Sequence, residues 1–214
     1  GGDAVYSAGA KGAPVGRANL DNTLFLVFAV YFCFRHISSD FAAKYFAMWK
    51  DALDRGMQCI PVDEGGLVWN DPEDPHSPYG FTDTVCKTGR LFMESVLYWR
   101  ACRMMEHLHR CFGDFQKVAD YCYAADRVEK TLPLLHDSVS GAFLAADGDC
   151  RQIDVWGMLY TLAVDFPLAA DIRRSVEDWL LENRHRYLYK GQVCQLPEGA
   201  PWEKLLIEVP AGEY

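Results

Sequence analysis

Three aspartates occupy matched places in the sequence. Asp21 lies in "NLDN", Asp83 in "GFTD" and Asp154 in "QID", separated by 62 and 71 residues, and each precedes a strongly apolar segment. Aromatic residues stand beside two of them, Tyr79 and Phe81 before Asp83 and Trp156 after Asp154. Carboxyl groups and aromatic rings at one mouth suit a sugar, because rings stack on its apolar faces and carboxyls handle its hydroxyls and glycosidic oxygen. Cleaving a glycosidic bond requires a proton delivered to the leaving oxygen from a carboxyl group whose pKa is raised by apolar surroundings or a like charge. Asp83 is the first candidate for that acid, with Tyr79 and Phe81 supplying the apolar surroundings. Asp21 is the candidate partner carboxylate, or with Asn22 a substrate clamp. A second reading competes: a helix N-terminus favours an anion by about 0.3–1 kcal/mol, and Lys87, four residues after Asp83, would lower its pKa. The same aspartates therefore also read as three N-caps, and the residues alone leave both readings open.

Further candidates cluster around these three. Gln152, Asp154 and Trp156 would bind sugar hydroxyls, and His76 in "DPHSPYG" would line the mouth. The loop "LPEGAPWE" adds Trp202 as a stacking ring and Glu198 and Glu203 as alternative second carboxylates. Lys87, Arg90 and Glu94 read as one face of a helix, either a pocket wall or an intrahelical ion-pair ladder. The acidic run "DEGGLVWNDPEDP" lacks the order of a calcium loop, so no metal is expected. With no nucleotide, zinc or serine-nucleophile motif in the chain, no cofactor is expected either.

The elements that must position these residues are helical. Segments 40–57, 114–132 and 168–184 are amphipathic, with apolar stripes Phe41/Tyr45/Met48/Ala52, Phe115/Val118/Cys122/Ala125/Leu132 and Ala169/Ile172/Val176/Trp179/Leu180. In the first of these, Lys44, Lys50, Asp51, Asp54 and Arg55 fall on the wet side. Segments 22–36 and 154–164 are apolar around nearly the whole wheel, and 84–112 is apolar through its middle, so these three are expected to be buried. Buried and surface helices alternate, which gives three antiparallel αα-hairpins. Short β pieces are expected at 65–70, 141–146 and 186–196.

Composition narrows the partners. The chain has 214 residues, half of them hydrophobic, and a net charge of −9 with scattered Lys and Arg, which excludes nucleic acid and an anionic membrane as natural partners. The longest apolar run, 24–34, is too short to span a bilayer, and the first residues do not read as a signal peptide. Eight cysteines without a C-x-x-C pair point to buried free thiols in a reducing compartment such as the cytoplasm.

Taken in order, the hairpin alternation, "LDN", "SPYGFTDTV.KTG", "QIDVWG" and "YKGQVCQLPEGAPWE" resemble the six-hairpin glycosidases from about Pro14 to Tyr214. The resemblance implies an (α/α)6 toroid whose inner helices point one end at a carbohydrate pocket, where carboxylates act as general acid and base, in many members with inversion. It implies an all-α fold of three hairpins, about half of that toroid, spanning 1–214 as a partial catalytic domain. Six helices where the toroid has twelve lead to the expectation of a fragment that self-associates through exposed edges. A sugar epimerase or lyase on the same toroid, and a non-catalytic helical scaffold, are the alternatives; helical-repeat scaffolds have shorter periods than the 62 and 71 residues found here.

Overall fold

The computed structural model describes residues 5–8, 11–14, 19–78 and 85–206, with the backbone alone for 5–8, 11–14, 39, 41 and 42. Tyr79, Phe81 and Asp83 therefore lie outside the described residues, as does the side chain of Phe41.

Among the described residues six α-helices carry the fold: α1 (Asn22–His36), α2 (Ser39–Gln58), α3 (Phe92–Phe112), α4 (Phe115–Thr131), α5 (Val155–Ala163) and α6 (Ala170–Tyr187). The protein is mostly helical, and its strands are short antiparallel pairs in the connections. β3 (Trp69–Asn70) pairs with β4 (Gly89–Arg90), β5 (His136–Asp137) with β6 (Ala142–Phe143), and β7 (Leu188–Tyr189) with β8 (Gln192–Val193). A further pair, β1 (Val5–Ala8) with β2 (Lys11–Pro14), precedes α1 and was not anticipated.

Local chemistry sets the helix ends. α3 closes on Gly113, whose left-handed backbone (φ 79°) lets its N–H reach the Arg110 and His109 carbonyls. The next residue, Asp114, caps α4 by accepting from Lys117 N at 3.2 Å. A glycine stop followed directly by an aspartate start makes the shortest of turns between the two helices.

α3 is the centre of the core, with thirteen of its 21 residues buried. α1 and α5 both pack on α3, and α2, α4 and α6 pack on α1, α3 and α5 respectively. Phe92 at the start of α3 stacks on Phe143 of β6 with ring centroids 4.3 Å apart. A Cβ at Gly157 in α5 would come within 2.7 Å of the Phe92 ring, so that position admits no side chain without a shift.

Several expectations need correction. α1 is not buried all round: Leu24, Val27, Phe28 and Val30 are, but Phe25, Leu26 and Phe32 are 42%, 52% and 42% exposed. α2 and α3 are its main partners among the described helices, and the flank that carries these three residues stays exposed. The buried stripe of α2 is Phe46, Leu53 and Met57; Met48 is 65% exposed. α2 carries two adjacent apolar stripes of equal helical spacing, and a polar contact decides between them. Asp54, placed on the wet side by the sequence, is buried, accepts from Tyr121 OH at 2.6 Å and lies 2.9 Å from His109 Nε2. Burial raises the Asp54 pKa, but the bonds to His109 and Tyr121 outweigh it and hold the carboxyl below its ordinary value. On α4 the buried face is Tyr121, Ala125 and Val128, with Leu132 beyond it, while Phe115 is 71% exposed. All eight cysteines are free, although only Cys86, Cys102 and Cys150 are buried.

The largest correction concerns α3, which begins at Phe92 and not near 84. Residues 85–91 are not helical because neighbouring chain takes the bonds a helix would need. Leu91 N donates to Val68 O (2.9 Å), Cys86 N to Lys204 O (3.0 Å), and Thr88 O accepts from Gly148 N (2.9 Å). Lys87, Arg90 and Glu94 are thus not one helical face: Lys87 and Arg90 precede the helix, and Arg90 pairs instead with Asp63 at 2.7 Å.

Candidate active site

The loops that lead into α1, α3 and α5 are tied together by hydrogen bonds. Leu20 N, just before α1, donates to Ser77 O at 3.1 Å. From the same 71–77 loop, His76 N donates to Asn70 Oδ1 (2.7 Å), and Asn70 Nδ2 donates both to His76 O (2.9 Å) and to Lys87 O (2.6 Å). One fully buried asparagine thus clamps two loops. The loops before α3 and α5 are stitched by Thr88, which donates to Asp149 Oδ2 at 2.9 Å and accepts from Asp149 N at 2.8 Å. A strap at 201–205 crosses both. Gln152 Nε2 donates to Pro201 O (2.8 Å), Lys204 Nζ to Asp149 Oδ2 (2.9 Å), and Arg151 N to Glu203 Oε2 (3.3 Å).

Beneath this junction lies a buried charged group. Lys87 Nζ is 2.7 Å from Glu94 Oε1 in the first turn of α3, and both side chains are fully buried. The ring of Trp202 covers Lys87, with its centroid 5.8 Å from Nζ. Asp154, also fully buried, caps α5 by accepting from Gly157 N at 2.9 Å. Glu94 Oε2 and Asp154 Oδ2 have no hydrogen-bond partner among the described residues. Burial pushes Asp154 up to about 6, against the opposing pull of Lys87 and the backbone N–H groups. A carboxyl group poised near neutrality beside a cation and a second carboxylate is the kind of environment in which acid–base sites are built. Burial likewise pushes the Cys86 and Cys150 thiols up, which removes them as thiolate nucleophiles at neutral pH.

Asp154 gives the junction a pH signature. The folded protein holds its proton more tightly than the unfolded chain, so its contribution weakens folding as pH rises from about 4 to about 6 and is fully lost above that. The size is on the order of 3 kcal/mol. Asp154→Asn keeps the acceptor for Gly157 N and removes the titration. The stability gap between variant and parent, measured by urea unfolding, is expected to move in the variant's favour across pH 4–6 and then level off. A gap independent of pH would mean that Asp154 does not titrate in that range.

The sequence-derived candidates part in the structure. Lys87, Asp154, Gln152 and Trp202 meet at the junction or its strap. Asp21, buried at the head of α1, makes no cap bond to the first-turn amides, and Asn22 beside it is exposed. His76 is held in the Asn70 clamp by its backbone. Trp156 and Glu198 point elsewhere: the Trp156 indole donates to Val193 O at 2.9 Å, and Glu198 is exposed with its N–H on Arg186 O. Asn70, Thr88 and Asp149 were missed by the sequence reading; each acts across at least 17 residues of chain, and no local pattern reports that. Among the described residues no cluster of His, Cys, Asp and Glu could hold a metal ion.

Among solved structures, the chain is similar to a rhamnosidase from Klebsiella oxytoca with rhamnose bound (TM-score 0.59, 14% identity), matching 84% of this chain and 33% of that one. It is also similar to a GH78 family rhamnosidase of Bacillus sp. GL1 (TM-score 0.56, 16% identity), matching 76% of this chain and 17% of that one. The likeness is one of fold. This chain spans a third or less of those proteins' length. No family model and no curated protein matches it. No helix among the described residues is long and apolar enough to cross a membrane.

Proposed function

We propose that the chain forms three αα-hairpins, α1–α2, α3–α4 and α5–α6, as about half of an (α/α)6 toroid in a protein that cleaves a glycosidic bond by paired-carboxylate acid–base chemistry, with inversion. The observation that carries this is the Lys87–Glu94–Asp154 group. Three ionisable side chains with no exposure are costly to bury, and apolar residues would fill the same space at lower cost. They hold in place the stretch that follows Asp83 by four residues. In this reading Asp83 is the general acid and Asp21 the partner carboxylate. Asn22, His76, Tyr79, Phe81, Gln152 and Trp202 bind the sugar, and Lys87 and Asp154 position the loops from below without touching it. Trp156 joins Met93, Leu159 and Tyr160 in an apolar groove of about 320 Å³ along α5. That groove and the bare flank of α1 are the sides on which the ring would continue, or through which this chain alone would self-associate.

Rhamnosides are the first substrates to test, since the two similar structures named above are rhamnosidases. The protein is expected to release the aryl group from an aryl rhamnoside faster than from the glucoside, galactoside and xyloside. Absence of turnover on every glycoside, in a protein shown to be folded, would favour a non-catalytic helical scaffold instead.

A further inference from the structure

Beside the junction, a cavity of about 350 Å³ opens between the β5–β6 turn, the loop before α5, the end of α6 and the 197–200 loop. Its size lies within the range of small-ligand pockets. Its walls combine two chemistries. Leu144, Ile153, Pro197 and Ala200 give an apolar floor, while Arg151, Arg186 and Gln152 bring polar groups to the same space. Neither guanidinium has a carboxylate at ion-pair distance among the described residues; Arg186 reaches only Asn183 Oδ1, at 3.5 Å. Gln152 is fixed by its Nε2 on the strap, which leaves its buried Oε1 without a hydrogen-bond partner among the described residues. Asp137, also on the wall, has both oxygens engaged by the Val139 and Ser140 amides of its own turn. Two arginines without a carboxylate at ion-pair distance thus line one cavity, against a single acid, Asp137, among its lining residues.

We propose that this cavity binds a pyranose that carries a carboxylate, a uronic acid unit, next to the bond-breaking site. The guanidiniums take the carboxylate, for which their planar fork is matched. The apolar floor takes the face of the sugar. The proposal rests on the carbohydrate reading of the junction and extends it to the substrate's second unit: Gln152 borders the cavity two residues before Asp154.

The test is a titration of the isotope-labelled protein with sodium glucuronate, glucose and sodium sulfate, following the Gln152 side-chain amide and the arginine Nε resonances. Glucuronate is expected to bind at least about tenfold more tightly than either glucose or sulfate. In the Arg151→Gln/Arg186→Gln variant, whose melting temperature should match the parent because both side chains are exposed, that preference should vanish. Equal affinity for glucose and glucuronate would overturn the proposal. So would sulfate binding as tight as glucuronate, or a preference that survives in the double variant. Rhamnoside turnover without a glucuronate preference would overturn the uronate pocket alone, whereas absence of both turnover and saccharide binding would overturn the carbohydrate reading with it.

Discussion

Lys87→Met is expected to destabilise the fold by about 3–5 kcal/mol at pH 7, read as a lower urea midpoint, because it removes the ion-pair partner of a buried charge. Lys87 Nζ and Glu94 Oε1 are 2.7 Å apart with neither side chain exposed, and Asp154 lies close enough to feel both charges. Without the ammonium, two carboxylates share a pocket sealed from water. For a chain of this size each kcal/mol moves the melting temperature by about 2–4 °C, so the shift is on the order of 10 °C. Two internal controls follow. Lys87→Met/Glu94→Leu should recover most of the loss, since a buried pair replaced as a unit by apolar groups is often neutral or better. Lowering the pH to about 5 should shrink the single variant's deficit, because Asp154 then carries its proton. A loss below about 1 kcal/mol would mean that water reaches the pair, and the buried group would no longer support the functional reading.

The sequence reading and the structure part company where bonding becomes non-local. The bounds of α1, Asn22–His36, were legible in the unbroken apolar run "NTLFLVFAVYFCFRH", but which of its faces is buried was not, because a segment apolar on every side marks none. Asp154 was legible as a cap, since it directly precedes an apolar helix that needs an acceptor for its first amides. The start of α3 was not. "DTVCKTGRLFMES" shows helical spacing of Lys87, Arg90 and Glu94, yet residues 85–91 spend their backbone bonds on Val68, Asp149 and Lys204, partners 23 to 118 residues away. The buried stripe of α2 was misplaced for a related reason: Tyr45 and Phe46 have equal claims until His109 and Tyr121 engage Asp54. In each case the deciding partner lies on another element, and periodicity within one segment carries no trace of it.

That same correction sharpens the expectation for Asp83. For a helix beginning at residue 84, Asp83→Asn would weaken a cap, whose loss typically costs about 0.5–2 kcal/mol. With Leu91 in the cap position and Phe92 as the first helical residue, Asp83 is not the cap of α3. The two possible roles now predict different measurements. Asp83→Asn in the protein that turns over a rhamnoside is expected to leave the urea midpoint nearly unchanged and to lower kcat by about 10²–10⁴-fold, the usual worth of a general acid. KM should move little, and the alkaline limb of the kcat/KM profile, set by loss of the acid's proton, should flatten. Near-full activity in the folded variant would reject Asp83 as the acid and shift the role to Glu198 or Glu203, both exposed on the loop that delivers the strap. A large stability loss with a proportionate loss of activity would instead make Asp83 a structural residue. The buried lysine four positions on would then be anchoring a loop and nothing more.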